Sequence, residues 1–358
     1  MERISSPASP PTERDLLDEL RQNVASALPD GWTVELAPGP KGADALLTLN
    51  SPDGRTAELL VEAKSVFNAR DVPKVGAQFA LLNAETGGAG LVASRYLAPR
   101  ARAELAAAGI SYADATGNLR LALRDPAVFL LKDGANRDPW RAPENPTDNL
   151  RGVPAARVVR ALVDFDRRWG IRELAATAQA SLASTSRIVN FLEREALVER
   201  DDSGPVTGVE WPALIERWAV DYDLSKRRRV LRLLAPRGAG SVEAGLKRYR
   251  GRYAISGSLA ADRWAPYAES ALALVYADDA ASVADALELR EAPVRPNVLL
   301  IEPEDGYVFF RSTSADALTF VQPAQVAVDL LVGPGRSPDE GHELIRWMKA
   351  NEDAWRAR

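Results

Sequence analysis

In the stretch AELLVEAKS a carboxylate and a lysine, Glu62 and Lys64, stand two residues apart at the end of an apolar run. On a strand such residues share a face, so Glu62 and Lys64 point together, away from Val61 and Ala63. Upstream, Asp44 opens the run DALLTL, and SPDGR between the two runs is a strong hairpin-turn signal. A tight turn there brings Asp44 alongside the Glu62 end of the next strand. Two carboxylates suit Mg²⁺, which keeps several waters and polarises a phosphate oxygen. A lysine beside them orients or deprotonates an attacking water and offsets charge developing on phosphorus. The other readings are a salt bridge that only stabilises itself, and a former site that now holds DNA.

The elements that must place these residues are legible around them. Leu16, Leu17, Leu20, Val24 and Leu28 follow helical spacing; GWTVELAP, ADALLTLN and AELLVEAKS read as three strands. A helix over 72–82 follows, then strand AGLVAS, helix PRARAELAAAG, and short strands through ISYADATGNLRLAL and VFLLK. The first domain spans 13–134. The stretch 135–152, rich in Pro and polar residues without periodicity, is a linker.

Composition narrows the chemistry. Among 358 residues there are no cysteines and one histidine, His342, so thiolate–zinc sites, disulfides and cysteine nucleophiles are excluded. Any metal here is a hard cation held by oxygens. An apolar fraction of 46% and a charged fraction of 27% describe a soluble globular chain. The polar opening MERISSPASPPTERD has no apolar core of a signal peptide, and no stretch approaches the roughly 18 apolar residues of a membrane helix. A cytoplasmic location, without a membrane, is expected. The net charge of −5 hides a cationic segment with Lys226, Arg227, Arg228, Arg229, Arg232, Arg237, Lys247, Arg248, Arg250 and Arg252, able to meet a polyanion or to form a solvated face.

From Ala155 the pattern turns helical: AARVVRALVDF, IRELAATA and LASTSRIVNFLEREAL, then VERDDSGPVTGVEW as strand, turn and strand. Ser181 can cap the third helix. On it Thr185, Ile188 or Val189, and Leu192 face a core, leaving Leu182, Ala183, Ser186, Arg187 and Asn190 outside. Arg and Asn pair with guanine and adenine edges in the major groove, and Ser184 and Ser186 add hydroxyls for caps or phosphates. The acidic tip, Asp201 and Asp202, keeps the hairpin from lying deep in a groove. Over 153–211 this resembles the winged helix–turn–helix of bacterial transcription regulators, in the lineage whose recognition helix reads S-x-x-T-x-S-R or close to it. A winged helix used only for protein contact is the alternative.

The set Asp44, Glu62 and Lys64, with the order helix, three strands, helix, strand, resembles the PD-(D/E)xK motif of the restriction-endonuclease-like fold over 14–132. Ala43 stands where that family usually has proline. The resemblance implies Asp44, Glu62, Lys64 and Gln78 as catalytic residues, with Mg²⁺ on Asp44 and Glu62.

Residues 212–252 are expected to form a bridging helix and a basic helix, SKRRRVLRLL. Beyond them YAISGS, ALALVYA, NVLLIEP and YVFFRS read as strands. Gly257–Ser258 before a helix, with Asp278–Asp279 after a strand, resembles a nucleotidyltransferase. The acids fall at the strand's end, where the family has Asp-x-Asp inside it, so a degenerate nucleotidyltransferase-like α+β domain over 253–358 is expected. With the winged helix, ALALVYADDAASVADALEL, VLLIEPEDGYVFF and LTFVQPAQVAVDLLVG resemble the AbiEi-type antitoxin and regulator family. That resemblance implies autorepression and a nucleotidyltransferase toxin as partner; the long N-terminal domain departs from the family's layout.

The whole is an α/β multidomain chain. The leading reading is a sequence-specific transcriptional regulator on double-stranded DNA, dimeric, with no required cofactor. It reads bases through Ser186, Arg187 and Asn190, with Arg227, Arg228, Arg229, Lys247 and Arg248 on phosphates. The alternatives are a Mg²⁺-dependent DNA nuclease and an antitoxin-like partner of a toxin.

Overall fold

Thr12 opens the first helix with a capping box: its hydroxyl accepts from the Asp15 N–H at 3.3 Å, and the Asp15 carboxylate accepts from the Thr12 N–H at 2.9 Å. The computed structural model describes residues 10–86, 88–136, 138–140, 149–201, 204–224, 229–267 and 271–358. The chain is an α/β protein that divides into two units, Met1–Pro146 with Arg194–Ala196, and Thr147–Glu193 with Leu197–Arg358. Each is built on a seven-stranded mixed sheet.

The first unit runs α1 (Glu13–Ala27), β1 (Thr33–Pro38), β2 (Ala45–Asn50), β3 (Thr56–Lys64), α2 (Val72–Thr86), β4 (Ala89–Ser94), α3 (Pro99–Ala107), β5 (Ser111–Asp114), β6 (Leu119–Arg124) and β7 (Ala127–Lys132). The strands lie in sequence order across the sheet. β3, β4 and β5 are mutually parallel, and the outer pairs are antiparallel. α1 covers one face with Leu20 and Val24 on Leu47, Leu49, Leu59 and Val61. On the other face Val72, Val75, Phe79 and Leu105 pack on Leu60 and Val92. β3 is therefore buried on both faces, as central parallel strands are. A side chain at Gly90 on β4 would overlap the Phe79 ring, so glycine there lets α2 lie close to the sheet.

The second unit begins with α4 (Val153–Asp164), α5 (Ile171–Thr177), α6 (Leu182–Arg194) and the hairpin β8 (Val198–Arg200) and β9 (Val206–Val209). Next come α7 (Trp211–Asp221), β10 (Arg229–Leu234), α8 (Ser241–Leu246), β11 (Tyr253–Ser256), α9 (Gly257–Ala261), β12 (Ala273–Ala277), α10 (Ala280–Ala286), β13 (Arg290–Glu291) and β14 (Val298–Glu302). β15 (Thr313–Ala315), β16 (Leu318–Phe320), α11 (Pro323–Leu331), α12 (Ser337–Ala350) and α13 (Glu352–Trp355) close the chain. Its sheet has the order β13-β10-β14-β12-β11-β16-β15. The helical segment and this sheet share one core, in which Leu162, Trp169, Leu192 and Trp218 join Ile255, Val275 and Val326.

Two expectations are corrected. The basic run is not a helix where it is described: Arg229–Leu234 is β10, bonded to β14 on one side and β13 on the other. Pairing on both edges, with Leu233 buried, outweighs the helix propensity of Arg and Leu. Lys226, Arg227 and Arg228 lie outside the described residues, as does Asp202. YVFFRS is not a strand. Asp305 accepts from the Tyr307 N–H at 2.9 Å and starts a 3-10 turn over Gly306–Phe309. No helix among the described residues is long and apolar enough to cross a membrane.

Candidate functional site

The β2–β3 ladder places the acidic residues. Its register ends at Ala45 opposite Val61, so Asp44 lies one step further, beside Glu62. The Asp44 carboxylate accepts from the Ala63 N–H at 2.8 Å, and its own N–H donates to the Val61 carbonyl at 2.9 Å. Asp44 is exposed while Glu62 is only 7% exposed, so the group opens to solvent on the Asp44 side.

Glu62 points with Leu60 toward α2, the helix that carries Gln78. The Gln78 amide donates to Glu62 Oε2 at 2.7 Å and to the Gly42 carbonyl at 2.7 Å. The Lys64 ammonium lies 2.6 Å from Glu62 Oε1. A buried carboxylate is thus hydrogen-bonded or paired on both oxygens, as buried polar groups must be. The Glu62 bond raises the Lys64 pKa against the opposing effect of burial, and the charges of Asp44 and Asp71 add to it. Asp71 escaped the sequence reading. It caps the turn before α2, accepting from the Asn68 N–H at 2.9 Å, and the Asn-x-x-Asp spacing was the available signal.

Asp44, Glu62, Lys64 and Gln78 therefore come together from β2, β3 and α2. Among the described residues no cluster of three or more His, Cys, Asp or Glu side chains is placed to hold a metal ion. Asp44 and Glu62 are cross-strand neighbours at this end of the β2–β3 ladder.

The second group of candidates lies on α6. The Ser181 hydroxyl accepts from the Ser184 N–H at 3.1 Å and caps the helix. Thr185, Ile188, Val189 and Leu192 are buried, and Leu182, Ala183, Arg187 and Asn190 are exposed, with Ser184 and Ser186 between. Arg187 lies back along its own helix, donating to the Ala183 carbonyl and the Ser184 hydroxyl, each at 3.3 Å. Asn190 accepts from Arg200 on β8 at 2.9 Å, tying the hairpin to the helix. Arg200 was missed in the sequence, because only folding brings β8 against α6. At the hairpin tip Asp201 pairs with Arg168.

The basic candidates stand on other elements. Arg229 begins β10 and lies 3.7 Å from Glu302. Lys247 and Arg248 follow α8 and are exposed. Arg227 and Arg228 fall outside the described residues.

No protein-family model matches the chain, and no curated protein matches it. Among solved structures the chain is similar to EndoMS in its apo form, at 15% identity and a TM-score of 0.22, over 30% of this chain and 47% of that one. The chain thus spans about half the length of that protein.

Proposed function

We propose that the chain is a DNA-acting protein whose first unit carries a Mg²⁺-dependent phosphodiester-cleaving site of the PD-(D/E)xK type. The observation that carries this is the convergence of Asp44, Glu62, Lys64 and Gln78, with Glu62 buried and bonded to both Lys64 and Gln78. The donor set fits a hard divalent cation: Asp44 is exposed, and each Glu62 oxygen has a second lone pair beyond the bond it already accepts. Asp44 and Glu62 would hold the ion. When bound, Mg²⁺ supplies Lewis acidity toward the scissile phosphate and its water nucleophile. Gln78 fixes the Glu62 carboxylate. Lys64 holds its proton firmly beside Glu62, which suits it to donate to a phosphate oxygen rather than to take a proton from water. The restriction-endonuclease-like fold belongs to this proposal, supported by the element order from α1 to β4.

The test is a gel with labelled duplex DNA, in Mg²⁺ or in EDTA. Shortened DNA in the Mg²⁺ lane only, abolished by Lys64→Ala, is the expected result. Intact DNA in both lanes over a range of duplex, forked and mismatched substrates refutes the reading.

A second reading is a winged-helix transcriptional regulator, favoured by the capped α6 with Arg187 and Asn190 on its exposed face. On that reading the first unit's carboxylates and lysine hold DNA or stabilise themselves. The toxin partner and the homodimer remain proposals of the same kind. A discrete shift on the chain's own upstream DNA, equal in Mg²⁺ and EDTA and without shortening, favours it.

A further inference from the structure

In the second unit a cavity of about 420 Å³ lies between α4, the α5–α6 turn and the 3-10 turn before β15. That volume is within the range of roughly 300–1,000 Å³ typical of small-molecule sites. Its walls combine arginines with aromatic rings: Arg157, Arg160, Arg252 and Arg311 with Tyr307 and Phe310. Such a lining suits a ligand with an anionic end and a planar apolar one.

The four arginines differ in what already neutralises them. Arg160 is fully buried, bonded to Asp164 at 2.7 Å and to Gln325 at 3.2 Å, and forms the back wall. Arg157 makes a two-pronged pair with Asp305, at 2.8 and 3.1 Å. Arg311 donates to the carbonyls of Asp164 and Trp355 and stacks over the Phe165 ring at 4.9 Å; among the described residues it has no carboxylate partner. Arg252 lies over the Phe309 ring at 4.2 Å, with its nearest carboxylate, Asp278, at 3.9 Å and its side chain 57% exposed. Arg311 therefore brings to the cavity a positive charge with no carboxylate partner among the described residues, and Arg252 one that is paired only at 3.9 Å.

The backbone around the cavity is held in an unusual state. Arg311 and Gln179 have φ of +56° and +48°, in the left-handed region that non-glycine residues seldom adopt. Both residues line the cavity, and strain of this kind gathers at ligand clamps. Gln179 lies in the turn that leads into α6, and its carbonyl accepts from Arg157 at 2.7 Å.

We propose that this cavity binds a nucleoside phosphate, with its phosphate on Arg252 and Arg311 and its base against the Tyr307 and Phe310 rings. The site shares no residue with the Asp44 and Glu62 group of the first unit.

The test is calorimetric titration of the full chain with AMP, ATP, GTP, adenosine and inorganic phosphate. Saturable one-to-one binding of at least one nucleotide is expected, with adenosine weaker by about tenfold or more. Arg252→Ala, which removes a side chain that is 57% exposed, weakens nucleotide binding by about tenfold or more. Lys64→Ala leaves it unchanged. The proposal is overturned if no nucleotide binds at up to about 1 mM, or if adenosine binds as tightly as AMP. It is also overturned if Arg252→Ala binds as wild type does, or if Lys64→Ala abolishes binding, which moves the nucleotide to the other unit.

Discussion

Lys64 Nζ lies 2.6 Å from Glu62 Oε1, joining a lysine side chain that is 45% exposed to a carboxylate that is 10% exposed. An ion pair with one partner in solvent contributes little stability, about 0–1 kcal/mol. Its geometry matters more, because it aims an ammonium outward from a buried anion. On the proposed cleavage reading, Lys64→Ala abolishes Mg²⁺-dependent cleavage while leaving DNA affinity within about twofold and the urea midpoint close to wild type. Cleavage and gel-shift assays on one preparation separate these effects. Cleavage that survives in Lys64→Ala removes the lysine from the site.

Gly90 and Gly76 make opposite predictions on facing elements. Gly90→Ala pushes a methyl into Phe79, the neighbour of Gln78, and costs about 1–3 kcal/mol while displacing the Gln78–Glu62 bond. At Gly76, inside α2, a methyl meets only the end of Ile110 at 3.8 Å. Gly76→Ala therefore stabilises by about 0.5–1 kcal/mol through helix propensity. Denaturant unfolding of both variants checks the pair, and equal signs would contradict the packing described.

On α6, Arg187→Ala and Asn190→Ala each reduce binding to a specific DNA site by about 1–3 kcal/mol if these side chains reach base edges. Asn190→Ala also removes the Arg200 hydrogen bond to the helix, leaving its pair with Glu193 at 3.6 Å. Footprints on a selected sequence provide the check. An unchanged footprint for Arg187→Ala removes α6 as the reading element.

Glu340 is 8% exposed and accepts from the Ser258 hydroxyl. Burial raises its pKa, Asp262 adds to the rise, and the Ser258 bond opposes it. The folded state therefore holds this proton more tightly than the unfolded chain does. The stability it contributes is full at low pH and is lost as pH rises from the unfolded value, about 4.3, through the raised folded value. Glu340→Gln keeps the acceptor for Ser258 and removes the charge. Its Tm exceeds wild type at neutral pH, and the difference disappears near pH 4; a lower Tm at neutral pH would contradict this.

The Arg160–Asp164 pair is buried, with side chains 1% and 0% exposed. Asp164→Ala leaves a guanidinium without its anion and costs about 3–5 kcal/mol in urea unfolding. The double change Arg160→Met with Asp164→Leu costs far less than the single one, because no uncompensated charge stays behind. Similar losses in both variants would mean that packing around α4, not charge, dominates.

What the sequence by itself determined is local and periodic. The two-residue spacing of Glu62 and Lys64 on a strand, the SPDGR turn and the run of elements from α1 to β7 follow from side-chain alternation and turn chemistry. The buried face of α6 is legible for the same reason, through Thr185, Ile188, Val189 and Leu192. Tertiary structure decided what local pattern leaves open. Whether Arg229–Leu234 is helix or strand depended on partners at β14 and β13, which no local propensity records. The YVFFRS stretch became a turn because Asp305 captured a backbone N–H. Gln78 met Glu62 because Gly90 let α2 lie close to the sheet. The cavity lined by Arg157, Arg252 and Arg311 is assembled from distant parts of the chain. Side chains so far apart in sequence meet only when one core orders them all, and that ordering is a property of packing rather than of spacing.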